Sequence, residues 1–546
     1  MKSVTSKVAR ARKALFALGA TVGVLLFVSL PLFSQGSNGR ILGAVTDQSG
    51  GVIAGSTVTI IDKDRGVART LTTDSSGEYN APQLLPGTYT VRADANGFKR
   101  LDRENVVLEV GHEVRVDLTL QPGTQTQTVT VTEALPLIET TNATLGGTLQ
   151  SAEVVDLPLN GRNFESLMGL RPGVMLQPGG SPWTQSTNNI RPDETSWMLD
   201  GVLDVDGFDA RPVAGSTSAI TDGATILPVD AIQEFNMEEN PKAEYGGKPG
   251  AMVNVGIRSG TNILHGSAYA FGRDGIWDAR NVFNPPPNTV LPLQLEQFGG
   301  AVGGPIKKDK LFFFANYEGL RSSLGNALGT SVPETASTGS AKNSMVDAIV
   351  GLQTFIKNNP GATGTVGGAQ VPLSVSPLSL TLLGCPSGTL TTASTCTGGL
   401  IQNAPSNTTA YLSTIPNTNK TDNGIAKIDY RISDKHMING TFYKATYLGH
   451  GEDFPMVNSA WTDDFPESAW LGTGNWIWTV NSRVVNEFRG GYNRLSQSLL
   501  PSDLSQLVNG SYTVGGVTYP INTGITSNGG FPSVVISGFA QTQLGS

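Results

Sequence analysis

The stretch Ala426-Lys427-Ile428-Asp429-Tyr430-Arg431-Ile432, closed by Ser433-Asp434-Lys435, decides the fold. Its even-numbered positions are apolar and its odd-numbered positions are charged. Successive side chains of a β-strand point to opposite faces, so one face of this strand is apolar and the other ionic. Two environments accept such a strand: a half-buried sheet in a soluble protein, or the wall of a transmembrane β-barrel, apolar toward lipid and polar toward the lumen. Working outward, the chain returns after the turn through His436 to Leu448, with Phe442, Tyr443 and Tyr447. Similar strands are expected at Ser267 to Arg273, Gln297 to Val302, Leu311 to Tyr317, Trp476 to Val480 and Val484 to Tyr492. Short turns (Lys307-Lys308-Asp309, Asn481-Ser482-Arg483) alternate with a long Gly/Ser/Thr/Asn stretch from about Ser322 to Thr421, the way barrels distribute their connections. Phe312 to Phe314, Trp476 and Trp478 near strand ends suit an interfacial girdle. Alternation by itself leaves both environments open.

Composition narrows the class. The 546 residues include 66 glycines, 38% are hydrophobic and only 15% are charged, which is too apolar for a disordered chain and suits turns and strands better than helices. The net charge of -8 and the lack of a Lys/Arg cluster beyond the first thirteen residues speak against nucleic acid as a partner. That first cluster (Lys2, Lys7, Arg10, Arg12, Lys13) precedes the apolar run Ala14 to Phe33 and the polar exit Ser34-Gln35-Gly36-Ser37. Residues 1–36 therefore read as a secretory signal peptide, with an uncleaved inner-membrane anchor as the alternative. No later apolar run reaches the about 18 residues of a membrane-spanning helix. Cys385 and Cys396 share one Gly/Ser/Thr-rich stretch, and in an exported chain they are expected to form a local disulfide; with no neighbouring His they cannot complete a tetrahedral metal site.

Residues 38–120 read as a small antiparallel sandwich. Short alternating segments (Leu42 to Val45, Val58 to Ile60, Tyr89 to Val91, Val106 to Leu108, Val114 to Leu118) are punctuated by Ser49-Gly50-Gly51, Ser75-Ser76-Gly77 and Pro86-Gly87. Gly43-x-Val45-x-Asp47 with Gly50, Gly77-x-Tyr79, Leu85-Pro86-Gly87-x-Tyr89-x-Val91 and Gly97-Phe98 resemble the carboxypeptidase-regulatory-like domain. The resemblance implies an Ig/transthyretin-like β-sandwich without catalytic function.

From 121 to 141 the chain is polar and linker-like, around the β-former Thr128-Val129-Thr130-Val131-Thr132-Glu133. An extended segment of this kind can add itself to the edge of a partner sheet. In place and composition it resembles the TonB box, through which outer-membrane receptors hold the energising protein of the inner membrane.

Residues 142–264 carry an ordered series: Leu157-Pro158-Leu159-Asn160-Gly161-Arg162-Asn163-Phe164, Pro172-Gly173, Leu199-Asp200-Gly201-Val202, Val229 to Phe235 with Glu234, Ala243-Glu244-Tyr245-Gly246, Gly250 to Val255, and Arg258-Ser259-Gly260-Thr261-Asn262. The series resembles the plug of a TonB-dependent receptor of the large Oar-like kind, with Arg258 where a Lys is expected. It implies a small α/β plug inside a wide barrel, and it turns the strands from 265 to 546 into barrel wall. Such barrels close at about 22 strands, and residues 265–546 supply roughly half of them, so the chain is expected to be a fragment whose barrel is incomplete.

Catalytic chemistry is not expected. His112-Glu113 lacks the second His of a zinc-protease motif, and His112, His265, His436 and His450 are scattered. The acidic string Asp200, Asp204, Asp206-Gly207, Asp209 fails as an EF-hand, because Val202 and Val213 would take the first and last ligand positions. No cofactor and no metal are expected. The resemblance implies an exported outer-membrane receptor with a periplasmic front domain, contacts to outer-membrane lipid, a TonB-type partner, and an extracellular ligand of the oligosaccharide or peptide kind. A barrel-anchored adhesive or structural protein is the alternative.

Overall fold

The computed structural model describes residues 39–124, 128–131, 145–176, 184–207, 210–216, 225–241, 248, 250–280, 282, 286, 290, 292–325, 329–331, 345–366, 368–375, 380, 410–412, 416–451, 463–480, 484–498, 500–501, 511–514 and 517–520. The expected export segment 1–36 and the Cys385 and Cys396 pair lie outside these residues, as do Thr132, Glu133, Tyr245 and Gly246.

The alternating segments at the front build two facing sheets. Strand β1 (Gly39–Asp47) is followed by β2 (Thr57–Asp62), β3 (Ala68–Thr72), β4 (Glu78–Leu84), β5 (Gly87–Asp94), β6 (Arg100–Leu108), β7 (Glu113–Arg115), β8 (Leu118–Leu120) and β9 (Thr128–Val131). One sheet runs β4-β1-β7 with β8 also on β1; the other runs β3-β2-β5-β6-β9. Ile41, Val45, Val58, Ile60, Val91, Val106, Leu118 and Leu120 meet between them in a core that draws on no residue beyond Val131. Thr128–Val131, which the sequence places in a linker, is an edge strand of this sandwich, parallel to β6.

The plug follows with β10 (Gly146–Gln150), helix α1 (Ser151–Asp156), the hairpin β11 (Val174–Leu176) and β12 (Gln185–Thr187), β13 (Ser196–Leu199), β14 (Val202–Leu203), β15 (Gly215–Ser216), β16 (Thr225–Ile226), β17 (Ile232–Glu238) and β18 (Met252–Ile257). Its sheet is ordered β10-β17-β18-β13-β14. The β13 and β18 pair is parallel and the others antiparallel, so the sheet is mixed as expected.

The wall consists of β19 (His265–Asp274), β20 (Leu293–Lys307) and β21 (Leu311–Gly325), then β26 (Pro416–Ser433), β27 (His436–His450), β28 (Asp463–Thr479) and β29 (Val485–Gln497). Between β21 and β26 lie β22 (Gly329–Ser331), helix α2 (Met345–Asn358), the hairpin β23 (Thr363–Val366) and β24 (Ala369–Pro372), and β25 (Ala410–Leu412), which pairs with β22. The seven long strands pair in antiparallel succession, and the short Leu500–Pro501 strand adds to β28. Among the described residues the outer edges of β19 and β29 have no partner strand. Several strands outrun their apolar signal: β28 continues through Gly472 and Gly474, where the ladder persists without side chains to reveal it.

The wall has the two faces its sequence demands. Ile428, Tyr430, Phe442 and Leu448 are 41–51% exposed, whereas their neighbours Lys427 and Asp429 are 8% and 2% exposed, turned inward, Lys427 against the plug and Asp429 beside Arg65 of the sandwich. At the short-turn end, which is the periplasmic end of such barrels, Trp476 and Trp478 stack 6.2 Å apart and His436 stacks on both. The plug core is continuous with the inner wall: Phe235, Val253 and Leu227 share a cluster with Phe314, Ile425, Tyr443, Ala469 and Leu471. Ile428→Lys, on the outer face, is expected to cost about 2–4 kcal/mol of wall stability. Urea unfolding of the chain in lipid vesicles measures it, and an unchanged midpoint would place Ile428 away from lipid.

Candidate functional site

The motif residues converge where plug, wall and sandwich meet. Asp200 and Gly201 link β13 to β14 as a two-residue loop with both residues left-handed (φ 48° and 73°), the conformation that tight hairpins of the I′ class require and that Asp-Gly supplies. The turn aims the Asp200 carboxylate at the wall. It accepts from Ile257 N at 3.0 Å, Lys427 Nζ at 3.1 Å and Thr441 Oγ1 at 2.5 Å. Lys427 also donates to Ile257 O at 2.9 Å, so carboxylate and ammonium are both hydrogen-bonded at about one-tenth side-chain exposure. Gly201 is fixed in turn by Asn254 Oδ1 (3.1 Å) and by Arg489 of β29, which donates to Gly201 O at 3.1 Å.

A second anchor grows from Asn160-Gly161-Arg162, a single 3-10 turn. Arg162 pairs with Asp230 inside the plug and lies 3.6 Å from Glu318 of the wall. Its guanidinium sits 4.9 Å over the rings of Tyr269 and Phe271. Tyr269 and Gln297 donate to the same Glu318 at 2.6 and 3.0 Å.

The third group is the plug exit. Arg258 donates to Ser151 Oγ and to Ile232 O, tying the end of β18 to α1 and β17. Gly260 passes so close to the wall that a Cβ there would stand 2.3 Å from Phe313 O, which only glycine avoids. Ser259 lines a small cavity between sandwich, plug and wall, beside Arg65, Val110, Lys427 and Asn439. Asn262, at the end of the plug, bonds to both other bodies: its N–H reaches Asp64 O (3.1 Å), its Nδ2 donates to Arg65 O (2.6 Å) and to Asp309 Oδ1 (2.7 Å), and its Oδ1 accepts from Asp309 N (2.9 Å).

Glu234 is 1% exposed and reaches out of the plug to accept from Val110 N of the sandwich. Burial pushes its carboxyl up to about 8, against the Val110 hydrogen bond and Lys427. Beside it Asn236 Nδ2 donates to His112 Nε2 at 2.8 Å, and Arg431 of the rim donates to Ala68 O at 3.1 Å. The acidic string considered for calcium is engaged with protein: Asp200 by Ile257, Lys427 and Thr441, Asp204 by Val213 N and Ala214 N, Asp206 by Arg211 N. Asp209 lies outside the described residues.

The structure thus places Arg162 and Asp200 at two separate anchors of plug on wall, with Glu234 bonded to the sandwich and Arg258 and Gly260 at the plug exit. Thr128–Val131 stands apart on the sandwich edge, with Val129 and Val131 half-buried on its core. The wall partners Lys427, Thr441 and Glu318 escape a motif search; their signal was only that they fall on the polar side of alternating strands.

The family model of the outer membrane beta barrel domain matches residues 256–546, and that of the carboxypeptidase regulatory-like domain matches residues 40–121. The chain is 29% identical over 317 residues to the TonB-dependent transporter Oar of Myxococcus xanthus, covering 55% of this chain and 28% of that protein. Among solved structures it resembles the outer membrane transporter YddB from Escherichia coli (10% identity, TM-score 0.41, 65% of this chain and 40% of that one). It also resembles the siderophore receptor PirA from Acinetobacter baumannii (14%, 0.36, 66% and 41%). The chain therefore spans well under half the length of these relatives.

Asp200→Ala leaves Lys427 buried without its counter-ion and is expected to destabilise plug seating by about 3–5 kcal/mol, most of it recovered when Lys427→Met is added. A double-mutant cycle on urea-induced protease access to the plug reads this, and additive costs would deny the coupling. Glu234 carries the opposite kind of signature. Its carboxyl keeps a proton in the docked state that an exposed one releases above about 4.5, so sandwich docking is full at low pH and weakens as pH rises through about 8. Protease release of the sandwich should therefore increase from pH 6 to 9, and Glu234→Gln should flatten that rise.

Proposed function

Because the chain belongs to the outer membrane beta barrel domain family, and so to the outer membrane, we propose that it serves energy-coupled uptake as a TonB-dependent receptor. Ligand is bound outside the cell by the long connections and the plug apices. The segment Thr128 to Glu133 pairs with a TonB-type energising protein of the inner membrane. Force applied there rearranges the plug and opens a path along the polar inner face of the wall. Asn160-Gly161-Arg162, Asp200-Gly201, Glu234 and Arg258-Ser259-Gly260 seat the plug in the closed state.

The single observation that carries this reading is how the plug is held. Its outer contacts to the wall include one hydrogen-bonded ion pair, Asp200 to Lys427, and a second charge pair, Arg162 to Glu318 at 3.6 Å, beside the apolar patch of Phe314, Tyr443 and Leu471. Such contacts fix one orientation and exchange readily for water once a plug shifts. The relative Oar is named a TonB-dependent transporter, which agrees. The front domain's resemblance points to an oligosaccharide or peptide as cargo. No catalytic step is assigned to the chain; its relatives carry the names of transporters and receptors.

Proline at Val129 and Val131 removes two backbone donors from the candidate coupling strand. The doubly substituted chain should insert in the outer membrane at the normal level yet lose at least about tenfold in cross-linking to the energising protein. Undiminished cross-linking would move the coupling segment elsewhere.

A further inference from the structure

Given the coupling role proposed for Thr128 to Glu133, on which this inference rests, the point where the pull is applied can be read from the fold. β9 is no loose tether. It is paired in register with β6, Arg100 opposite Thr128, Leu101 opposite Val129, Asp102 opposite Thr130 and Arg103 opposite Val131. Backbone groups of a strand alternate in direction, so half of those on β9 point away from β6. Among the described residues no strand occupies that side. The strand is already straight and ordered, with Val129 and Val131 anchored on the sandwich core. A partner bringing an extended segment meets an edge whose ordering cost has been met in folding.

The two bodies behind β9 differ in how they are held. The sandwich has a core of its own. It rests on the rest of the molecule through a short set of polar contacts: Asp64 and Arg65 carbonyls to Asn262, Ala68 O to Arg431, Val110 N to Glu234, His112 to Asn236, and Gln150 to Glu109. Apolar groups join them: Val110 is 3% exposed and sits over Gly256, where an added Cβ would come within 2.8 Å of it, and Ile60, Leu84 and Leu85 line a cavity with Phe312 and Ile477 of the wall. The plug core, by contrast, is fused to the wall through Phe314, Ile425, Tyr443 and Leu471. Of the two, only the sandwich can leave without opening a core.

We propose that an extended segment of the energising protein adds to the open edge of β9 while β9 stays on β6, so that the pull is borne by the sandwich, which lifts from the plug before the plug moves. The sandwich is then a periplasmic cap, and its departure uncovers Glu234, Asn236 and Asn262 on the plug. The competing arrangement has β9 peel from β6 and draw the plug through the segment C-terminal to it, with the sandwich left in place.

Two measurements on the full chain in outer membranes, with Cys385 and Cys396 replaced by Ser, separate these. In Arg100→Cys with Thr128→Cys, oxidation fastens β9 to β6, and the probe is the purified periplasmic domain of the host's TonB-type protein. Capture by the oxidised chain should stay within about twofold of the reduced chain, and a tenfold loss on oxidation would overturn the proposal. Absence of capture by the reduced chain as well would overturn the coupling role itself. In Val110→Cys, labelling by a membrane-impermeant maleimide admitted to the periplasm should rise several-fold in energised cells and stay low with an uncoupler. Equal labelling in both, with capture intact, would show that the sandwich does not lift.

Discussion

A strand with lipid on one side turns the charges of its other side into the lumen, where Lys427 finds its partner on the plug. Lys427 and Asp429 alternate with Ile428 and Tyr430, so putting the apolar side into the bilayer drives an ammonium and a carboxylate into the lumen. There an unpaired charge costs several kcal/mol. The plug answers this constraint where it can be followed atom by atom. The Asp-Gly hairpin delivers one carboxylate to Lys427 and Thr441, and the backbone of Ile257 supplies the remaining donor and acceptor. Plug and wall are therefore parts of one electrostatic solution.

That solution also sets what kind of closure is possible. A plug sealed only by apolar packing would resist rearrangement, because each exposed side chain would lose its transfer free energy. A plug sealed only by ion pairs would be well oriented but weakly held, since each pair gives back much of its Coulomb gain as desolvation. The molecule combines both. Phe235, Val253 and Leu227 join the wall's Phe314, Tyr443 and Leu471 in one core, while Arg162 and Asp200 fix orientation at two separate places on the wall. Glu318 shows the economy of the arrangement: it takes Tyr269 and Gln297 from its own sheet and faces Arg162 from the plug, so one carboxylate serves both structures.

Much of this was legible in the sequence because local rules and global placement agree. Period-two alternation at 426–432 marks a two-faced strand, the plug series upstream makes it a wall strand, and the turn residues of the first domain mark a sandwich. The plug motifs were legible as an ordered series, though not as geometry. Asp200 heads an acidic string and Asp200-Gly201 stands in the plug series, but neither pattern shows a hairpin whose side chain reaches the wall. The partner Lys427 lies too far along the chain for any spacing rule to join the two. Strand lengths were under-read where glycine interrupts the pattern, as along β28, since a ladder needs backbone and not side chains. β9 was least legible. Four alternating Thr and Val residues specify an extended strand but not whose edge it joins, and that choice is made by Val129 and Val131 finding the sandwich core.

The position of β9 alters how the three bodies relate energetically. Cooperative units in proteins tend to follow contiguous cores, and segments outside a core open first. By that rule the chain holds two units and not three: the sandwich with β9, and the plug with the wall. The seam between them is narrow. It includes backbone-directed hydrogen bonds, the apolar seat of Val110 on Gly256, a cavity that Leu84 and Leu85 share with Phe312 and Ile477, and Glu234, whose buried carboxyl is held up near 8. A seam built this way weakens through exchange with water and through loss of one proton, neither of which disturbs a core. The Arg162 anchor lies within the plug and wall unit, and the Asp200 anchor borders the seam beside Arg65 and Val110 while its hydrogen bonds run only to plug and wall. Opening the seam leaves both intact, so separation of the sandwich and displacement of the plug are energetically distinct events.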